Sequence, residues 1–201
     1  SDNMKGTKGA LIVTLAGNHK LQGYFEWSCK SIGASKEMFD MLVFHESNIR
    51  VMELKCASNV RLIDVGPNGL SKLLIAKLME SSNPSESVRG RMTMMLNDIL
   101  VHSPRYLVEI KPLLGSLFQN YLQSYTHWSY SDPDIIWGNL ADWIETYDLQ
   151  RYDIVTVTKN MDAARLFLRG QLSIHRNIPR VNEMWQQLEY FSPKVFPERL
   201  G

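Results

Sequence analysis

The sequence predicts an α/β fold, a mostly parallel sheet flanked by helices. Three observations predict it. Residues 10–15, 41–44 and 60–65 are short runs that are apolar or β-branched almost throughout, as strands buried on both faces are. A segment with apolar residues at helical spacing lies between the first two runs. Turn residues follow each run, as expected where strands hand the chain to helices or loops.

Taken in order, residues 10–15 read as the first strand and Gly17-Asn18-His19 as the turn after it. Leu21, Phe25, Cys29 and Ile32 then recur near helical spacing, and Gly33 is the expected helix stop. Residues 41–44 form a second buried strand ending in His45-Glu46-Ser47-Asn48. Residues 60–65 form a third, ending in Gly66-Pro67-Asn68-Gly69. Residues 70–80 read as a helix and 81–87 as a polar loop. Met92, Met95, Leu96 and Ile99 stripe the next helix. Met79, Met92, Met94 and Met95 are expected in the core rather than around a flexible pocket. Pro104 closes that segment, and residues 105–110 are a candidate fourth strand. Pro112 suits the first position of a helix bearing Leu113, Leu114, Leu117, Phe118, Tyr121 and Leu122 on one side.

Thr126, Trp128 and Tyr130 alternate with His127 and Ser129, the pattern of a half-buried strand. Asp132 and Asp134 follow, on either side of Pro133, which fixes its own φ and favours an extended Asp132. An amphipathic segment covers 139–147. A further strand is expected over 152–157, then a helix capped by Asn160 or Asp162 and carrying Ala164, Leu166 and Phe167. Residues 171–175 make a last strand. A final helix over 179–191 carries Val181, Met184, Trp185 and Leu188, and the tail from Ser192 packs irregularly.

The 201 residues are expected to form one domain. A formal net charge of +1 argues against general attraction to nucleic acid or anionic membrane. No apolar run approaches the length of a membrane-spanning helix. The opening Ser1-Asp2-Asn3-Met4 suggests a trimmed start. That leaves a cytoplasmic protein, or a Golgi or secretory one whose N-terminal anchor was removed. Cys29 and Cys56 are the two cysteines, and they fit no zinc spacing. Cys29 reads as a buried thiol, and a disulfide between the two stays open. No Gly-x-Gly-x-x-Gly, no Walker-type phosphate loop and no Gly-x-Ser-x-Gly elbow occurs.

Asp132 and Asp134 are the chemical centre of this reading. Two carboxylates on one short loop repel each other, and a divalent cation lets both stay ionised. Oxygen ligands suit Mg²⁺ or Mn²⁺, which commonly take one or two carboxylates plus substrate phosphates. With 10 Asp in the chain, roughly half an Asp-x-Asp is expected by chance, so spacing alone is weak and an Asp-Pro-Asp helix cap competes with it. Placement carries the case. In a parallel sheet the loops after the strands gather at one edge, where ligands bind. His175 and Arg176, near a strand end, offer themselves to phosphate, although a surface role is the simpler expectation.

Residues 105–118, with Lys111-Pro112 before a helix, and 128–140, with Tyr130-Ser131-Asp132-Pro133-Asp134 and then Gly138, resemble a group of GT-A-class glycosyltransferases of bacteria and fungi. Gly170 to Asn177, a glycine, an apolar strand and Arg-Asn, fit the same pattern, as does Trp27-Ser28-Cys29 ahead of Phe44-His45-Glu46. The resemblance covers about residues 9 to 190. It implies a GT-A-like domain that moves a sugar from a nucleotide-diphosphate donor to a glycan, lipid or protein acceptor. Asp132 and Asp134 would hold Mn²⁺ or Mg²⁺. Thr14, His45, Glu46, Lys111, Tyr130 and Asp132 would contact the nucleotide sugar. Lys111 would pair with phosphate or with Asp132. Where that group has Thr-Asp this chain has His45-Glu46, and such enzymes generally continue beyond the length seen here. The second reading is therefore a glycosyltransferase-like binding or scaffold domain without turnover. No catalytic base is identifiable.

Overall fold

A computed structural model describes residues 7–16, 23–46, 54–157, 170–192 and 195–196. Strands β1 (Gly9–Leu15), β2 (Phe39–His45), β3 (Val60–Asp64), β4 (His127–Tyr130), β5 (Ile154–Thr156) and β6 (Ser173–Arg176) form one sheet in the order β3-β2-β1-β4-β6-β5. β1, β2, β3 and β4 are mutually parallel; β6 runs antiparallel to β4, and β5 antiparallel to β6. The expected mostly parallel α/β sheet is therefore present, with an antiparallel pair at one side.

The helices are α1 (Tyr24–Ser31), α2 (Gly69–Leu78), α3 (Glu86–His102), α4 (Leu114–Leu117), α5 (Thr146–Arg151) and α6 (Pro179–Asn182). Side chains alternate across the sheet at period two, so two cores form, one on each face. Ala10, Ile12, Leu42, Phe44 and Trp128 pack with α2, α3 and α4. Leu11, Val13, Met41 and Val43 pack with α1 and with Trp137, Leu140 and Leu149. Each fully buried side chain of this size is worth about 1.5–3 kcal/mol, so the central strands carry much of the folding energy.

β4 is the joint between the parallel and antiparallel halves. It was expected to be half-buried, yet all four of its residues are buried, because β1 and β6 flank it and both faces are covered. The Trp128 indole is fully buried. It stacks on His175, with centroids 4.3 Å apart and planes 9° from parallel, and its N–H donates to Asn182 Oδ1 at 2.8 Å. Gly115 in α4 leaves the space for it: a Cβ there would lie 2.2 Å from Trp128 Cε2.

Several expectations need correction. Residues 105–110 are not a strand; Pro104–Val108 is a 3-10 turn. Pro104 occupies its start and the Tyr106 N–H bonds back to Ser103 O at 2.9 Å, so the run satisfies its backbone locally. β3 is an edge strand that is only partly buried, since β2 is its one neighbour in the sheet. The helix expected after Pro112 is a series of short pieces, a 3-10 turn Lys111–Leu113, α4, and a 3-10 turn Gln119–Tyr121. The final helix breaks likewise into α6 and two 3-10 turns; Val181 and Trp185 are buried, while Met184 and Leu188 are exposed. α1 does not stop at Gly33 but tightens into a 3-10 turn, Ile32–Ser35. Met79 and Met92 join the core as expected, but Met94 and Met95 are exposed. Cys29 is buried but is not a free thiol: it forms a disulfide with Cys56, with Cα atoms 4.9 Å apart. The expected Gly17–His19 turn, Leu21, Ser47 and Asn48, the helix around 160–167 and most of the tail lie outside the described residues.

Gly115→Ala should cost about 1–3 kcal/mol, because the added methyl must displace the Trp128 ring. Gly90→Ala, in an exposed stretch of α3 with nothing within 4 Å of the added Cβ, should gain about 0.5–1 kcal/mol. Denaturant midpoints of the two variants would move in opposite directions, and an unchanged Gly115→Ala midpoint would refute the packing argument. The disulfide joins residues 27 apart in sequence. Cys56→Ser should therefore lower stability by about 3–4 kcal/mol, read as a fall in melting temperature that dithiothreitol reproduces in the unmodified chain and does not deepen in the variant.

Candidate functional site

The site lies where the strand order reverses. From β1 the chain winds outward through β2 to β3, then returns across β1 to lay down β4 on its other side. The crevice outside the C-terminal ends of β1 and β4 is the topological switch point of the sheet, the position where open parallel sheets bind ligands. Register opens it further. β4 ends at Tyr130, opposite Ile12, whereas β1 runs on to Leu15, opposite His45 of β2. Asp132 and Asp134 leave β4 into that gap. The loops after β2, β3 and β4 share this edge, as expected of parallel strands.

The loop that carries the carboxylates is held at both ends. Ser131 donates its hydroxyl proton to Asp132 O at 2.8 Å, and the Ser131 N–H continues the ladder to Ile12 O at 3.0 Å. Further on, the Trp137 N–H donates to Ser31 Oγ at 2.8 Å. Ser35 Oγ accepts from the Leu140 N–H and donates to Gly138 O, both at 2.9 Å. Ser31 and Ser35 stand four residues apart and so pin the segment along one flank of α1 and its 3-10 extension. Neither serine was singled out in the sequence; their i, i+4 spacing on a helix flank was the available signal.

Asp132 is partly buried and Asp134 is exposed. Lys111 reaches Asp132 from the turn before α4, where Pro112 and the Leu114 N–H bond to Lys111 O set the local backbone. Its ammonium donates to Asp132 Oδ1 and, at 2.6 Å, to Gly170 O, and lies 5.5 Å from the centroid of the Tyr130 ring. Of the two pairings open to Lys111, the structure shows the one with Asp132. Among the described residues Asp134 has no hydrogen bond or ion pair.

Thr14 is partly buried near the end of β1, in register with Phe44. Tyr130 is 3% exposed, and burial pushes its phenol pKa above the ordinary value, with the Ser173 hydroxyl opposing. His45 and Glu46 are buried at the end of β2. A Glu46 carboxylate oxygen accepts from the Leu70 N–H at 3.3 Å, in the first turn of α2, where a negative charge offsets the unpaired backbone donors. Tyr130, Asp132 and Lys111 thus come together at the switch point, Thr14 stands near the end of β1, and Glu46 braces α2.

His175 and Arg176 do not join them. β6 is antiparallel to β4, so its C-terminal end lies at the opposite edge of the sheet. Arg176 donates there to the Leu149 and Gln150 carbonyls. His175 is a core residue rather than a surface one, stacked on Trp128, with Nε2 lacking a partner among the described residues.

The donor set is chemically narrow. Among the described residues no group of three or more His, Cys, Asp or Glu comes together. An all-protein metal cage is therefore not built from them. Asp132 and Asp134 offer only oxygen donors, the kind that Mg²⁺ and Mn²⁺ take together with phosphate and water, and one Asp132 oxygen already accepts from Lys111. No described helix is long and apolar enough to cross a membrane.

Fold and site together define a mostly parallel α/β domain with an acidic loop at its switch point. Residues 84–196 match the model of a family described as a family of unknown function, DUF6625, and the chain belongs to that family. No curated protein matches the chain.

Burial sets a pH dependence. It pushes the His175 pKa from 6.5 down to about 4. Between these values the unfolded chain binds a proton that the folded chain refuses, so the contribution is full above pH 6.5 and is lost as pH falls towards 4. The loss should reach about 3 kcal/mol. Denaturant midpoints at pH 7.5 and 4.5 should separate more for the unmodified chain than for His175→Phe; equal separations would exclude His175 as the cause.

Proposed function

We propose that this chain is a metal-dependent glycosyltransferase that moves a sugar from a nucleotide-diphosphate donor to a glycan, lipid or protein acceptor. The observation that carries this reading is the placement of Asp132 and Asp134, two carboxylates on a pinned loop at the switch point of a mostly parallel sheet. The GT-A-like pattern of Lys111-Pro112 and Tyr130-Ser131-Asp132-Pro133-Asp134 supports it. So does the contact of Lys111 with Asp132 and the Tyr130 ring.

The carboxylates would hold Mn²⁺ or Mg²⁺, and a divalent cation supplies charge that stabilises a departing diphosphate. The chain's own residues do the rest. Asp134, exposed and unpaired among the described residues, offers two oxygens outward. Asp132 stays oriented by Lys111. Thr14 stands near the end of β1, and His45 and Glu46 at the end of β2, on whose side the base of the donor would lie. At about 4 Å and an effective dielectric near 20, each opposite-charge pair is worth roughly 4 kcal/mol before desolvation, so metal and carboxylates dominate the site's energetics.

The second reading, a domain that binds a nucleotide sugar without turnover, rests on the small number of polar groups at the site among the described residues. Release of nucleoside diphosphate from a sugar donor distinguishes the two.

Asp134→Ala should abolish Mn²⁺-dependent binding of a nucleoside diphosphate while leaving the melting temperature near that of the unmodified chain, because the side chain is exposed. Calorimetric titration of a panel of nucleoside diphosphates, with Mn²⁺ and with EDTA, checks this. Binding that survives both EDTA and Asp134→Ala would overturn the assignment.

A further inference from the structure

Lys111 is a buried cation of the site held by partners within the protein. It is 7% exposed, and its ammonium has three N–H donors. Asp132 and the Gly170 carbonyl accept two, and the Tyr130 face lies beside the charge. These partners come from two segments: the end of β4 with the loop that follows it, and the approach to β6. Two of the three donors are thus committed to the protein, and moving the ammonium outward would break the Gly170 bond and leave the aromatic face. Lys111 is well placed to govern what else can sit on Asp132, because a divalent cation there meets an ammonium already on the same carboxylate, and the two repel.

We infer that Lys111 is an internal cation that competes with divalent metal for Asp132 and thereby sets the metal affinity of the site. This rests on the reading of Asp132 and Asp134 as the metal carboxylates. In the absence of metal, Lys111 neutralises Asp132 and removes most of the repulsion between the two aspartates. Asp134 is then the first point of metal attachment, and Asp132 joins only as the metal displaces charge from the ammonium. The pair acts as a built-in threshold: the loop is held when metal is scarce, and metal binds firmly only when phosphate adds further negative charge.

The test is Mn²⁺ titration of the full chain, followed by calorimetry and by water-proton relaxation, without nucleotide. Lys111→Met should bind Mn²⁺ about tenfold or more tightly than the unmodified chain, since the competing charge is gone. Lys111→Gln, which keeps a hydrogen-bond donor and removes only the charge, should show the same gain. Lys111→Arg, which keeps the charge, should stay within about threefold of the unmodified chain. Melting temperatures of all three report whether the turn before α4 has loosened. If Mn²⁺ binds through Asp134 but Lys111→Met and Lys111→Gln bind no tighter, competition is overturned and the metal site stands. A gain in Lys111→Met alone would assign the effect to loosened packing and likewise overturn competition. If neither the unmodified chain nor any variant binds Mn²⁺, both this inference and the metal-dependent reading fail.

Discussion

The packing of the Trp128 indole is the constraint on which the rest of the structure depends. It fixes β4 from three directions. Gly115 presses on one side, His175 stacks on the ring, and Asn182 accepts the indole N–H. Asn182 in turn donates to Asn177, whose amide donates to the Leu122 and Tyr125 carbonyls just before β4 begins. One buried ring therefore ties α4, α6, β6 and the entry to β4 into a single unit. Interiors packed to crystal density transmit displacement, so a shift of this ring would reach Asp132, four residues along the same short strand and loop.

From that anchor the site follows with few additional parts. β4 stops at Tyr130 while β1 continues, which opens the crevice; the carboxylates enter it because they are the next residues. Lys111 arrives from the turn that leads into α4, the same helix whose Gly115 contacts Trp128. The position of the ammonium and that of the carboxylate are thus set by a common element. This is economical in charge as well as in geometry. A buried ammonium costs several kcal/mol unless paired, and Asp132 and the Gly170 carbonyl provide the pairing. Neighbouring Asp134 is left to solvent, where its own charge is cheap to keep.

The parallel half of the sheet was legible because its strands are uniform apolar runs between turn residues, and the shared edge of their following loops was legible with it. The Asp-Pro-Asp loop was legible as a candidate but not as a geometry. Residues 105–110 are a short, mostly apolar run without a clear period, which does not by itself tell a strand from a 3-10 turn; Pro104 and Pro112 at its borders were the better guide. β3 read as buried because its composition resembles that of its neighbours, and only the strand order places it at the edge. Antiparallel β6 sends His175 into the core and Arg176 to the far edge, a consequence of strand direction that spacing cannot carry. The Glu46 contact with α2 spans 24 residues, and the Lys111 contact with Gly170 spans 59. Contacts of that range depend on the whole topology.

α1 shows how support is passed from the core to the loop. On its buried side Cys29 bonds to Cys56, and the Ala57 N–H donates to Cys29 O at 3.0 Å, so the segment entering β3 is stitched to the helix. On its flank, Ser31, with Ser35 in the 3-10 turn that follows, holds the chain beyond Asp134. The carboxylate loop is thus gripped by β4 on one side and by a covalently braced helix on the other. Under the proposed reading, a loop offering two carboxylates gains little from each, and holding both in place beforehand spares the ordering cost that a free loop would pay. The rigidity of α1 is therefore part of the site, although no atom of the helix needs to touch a ligand.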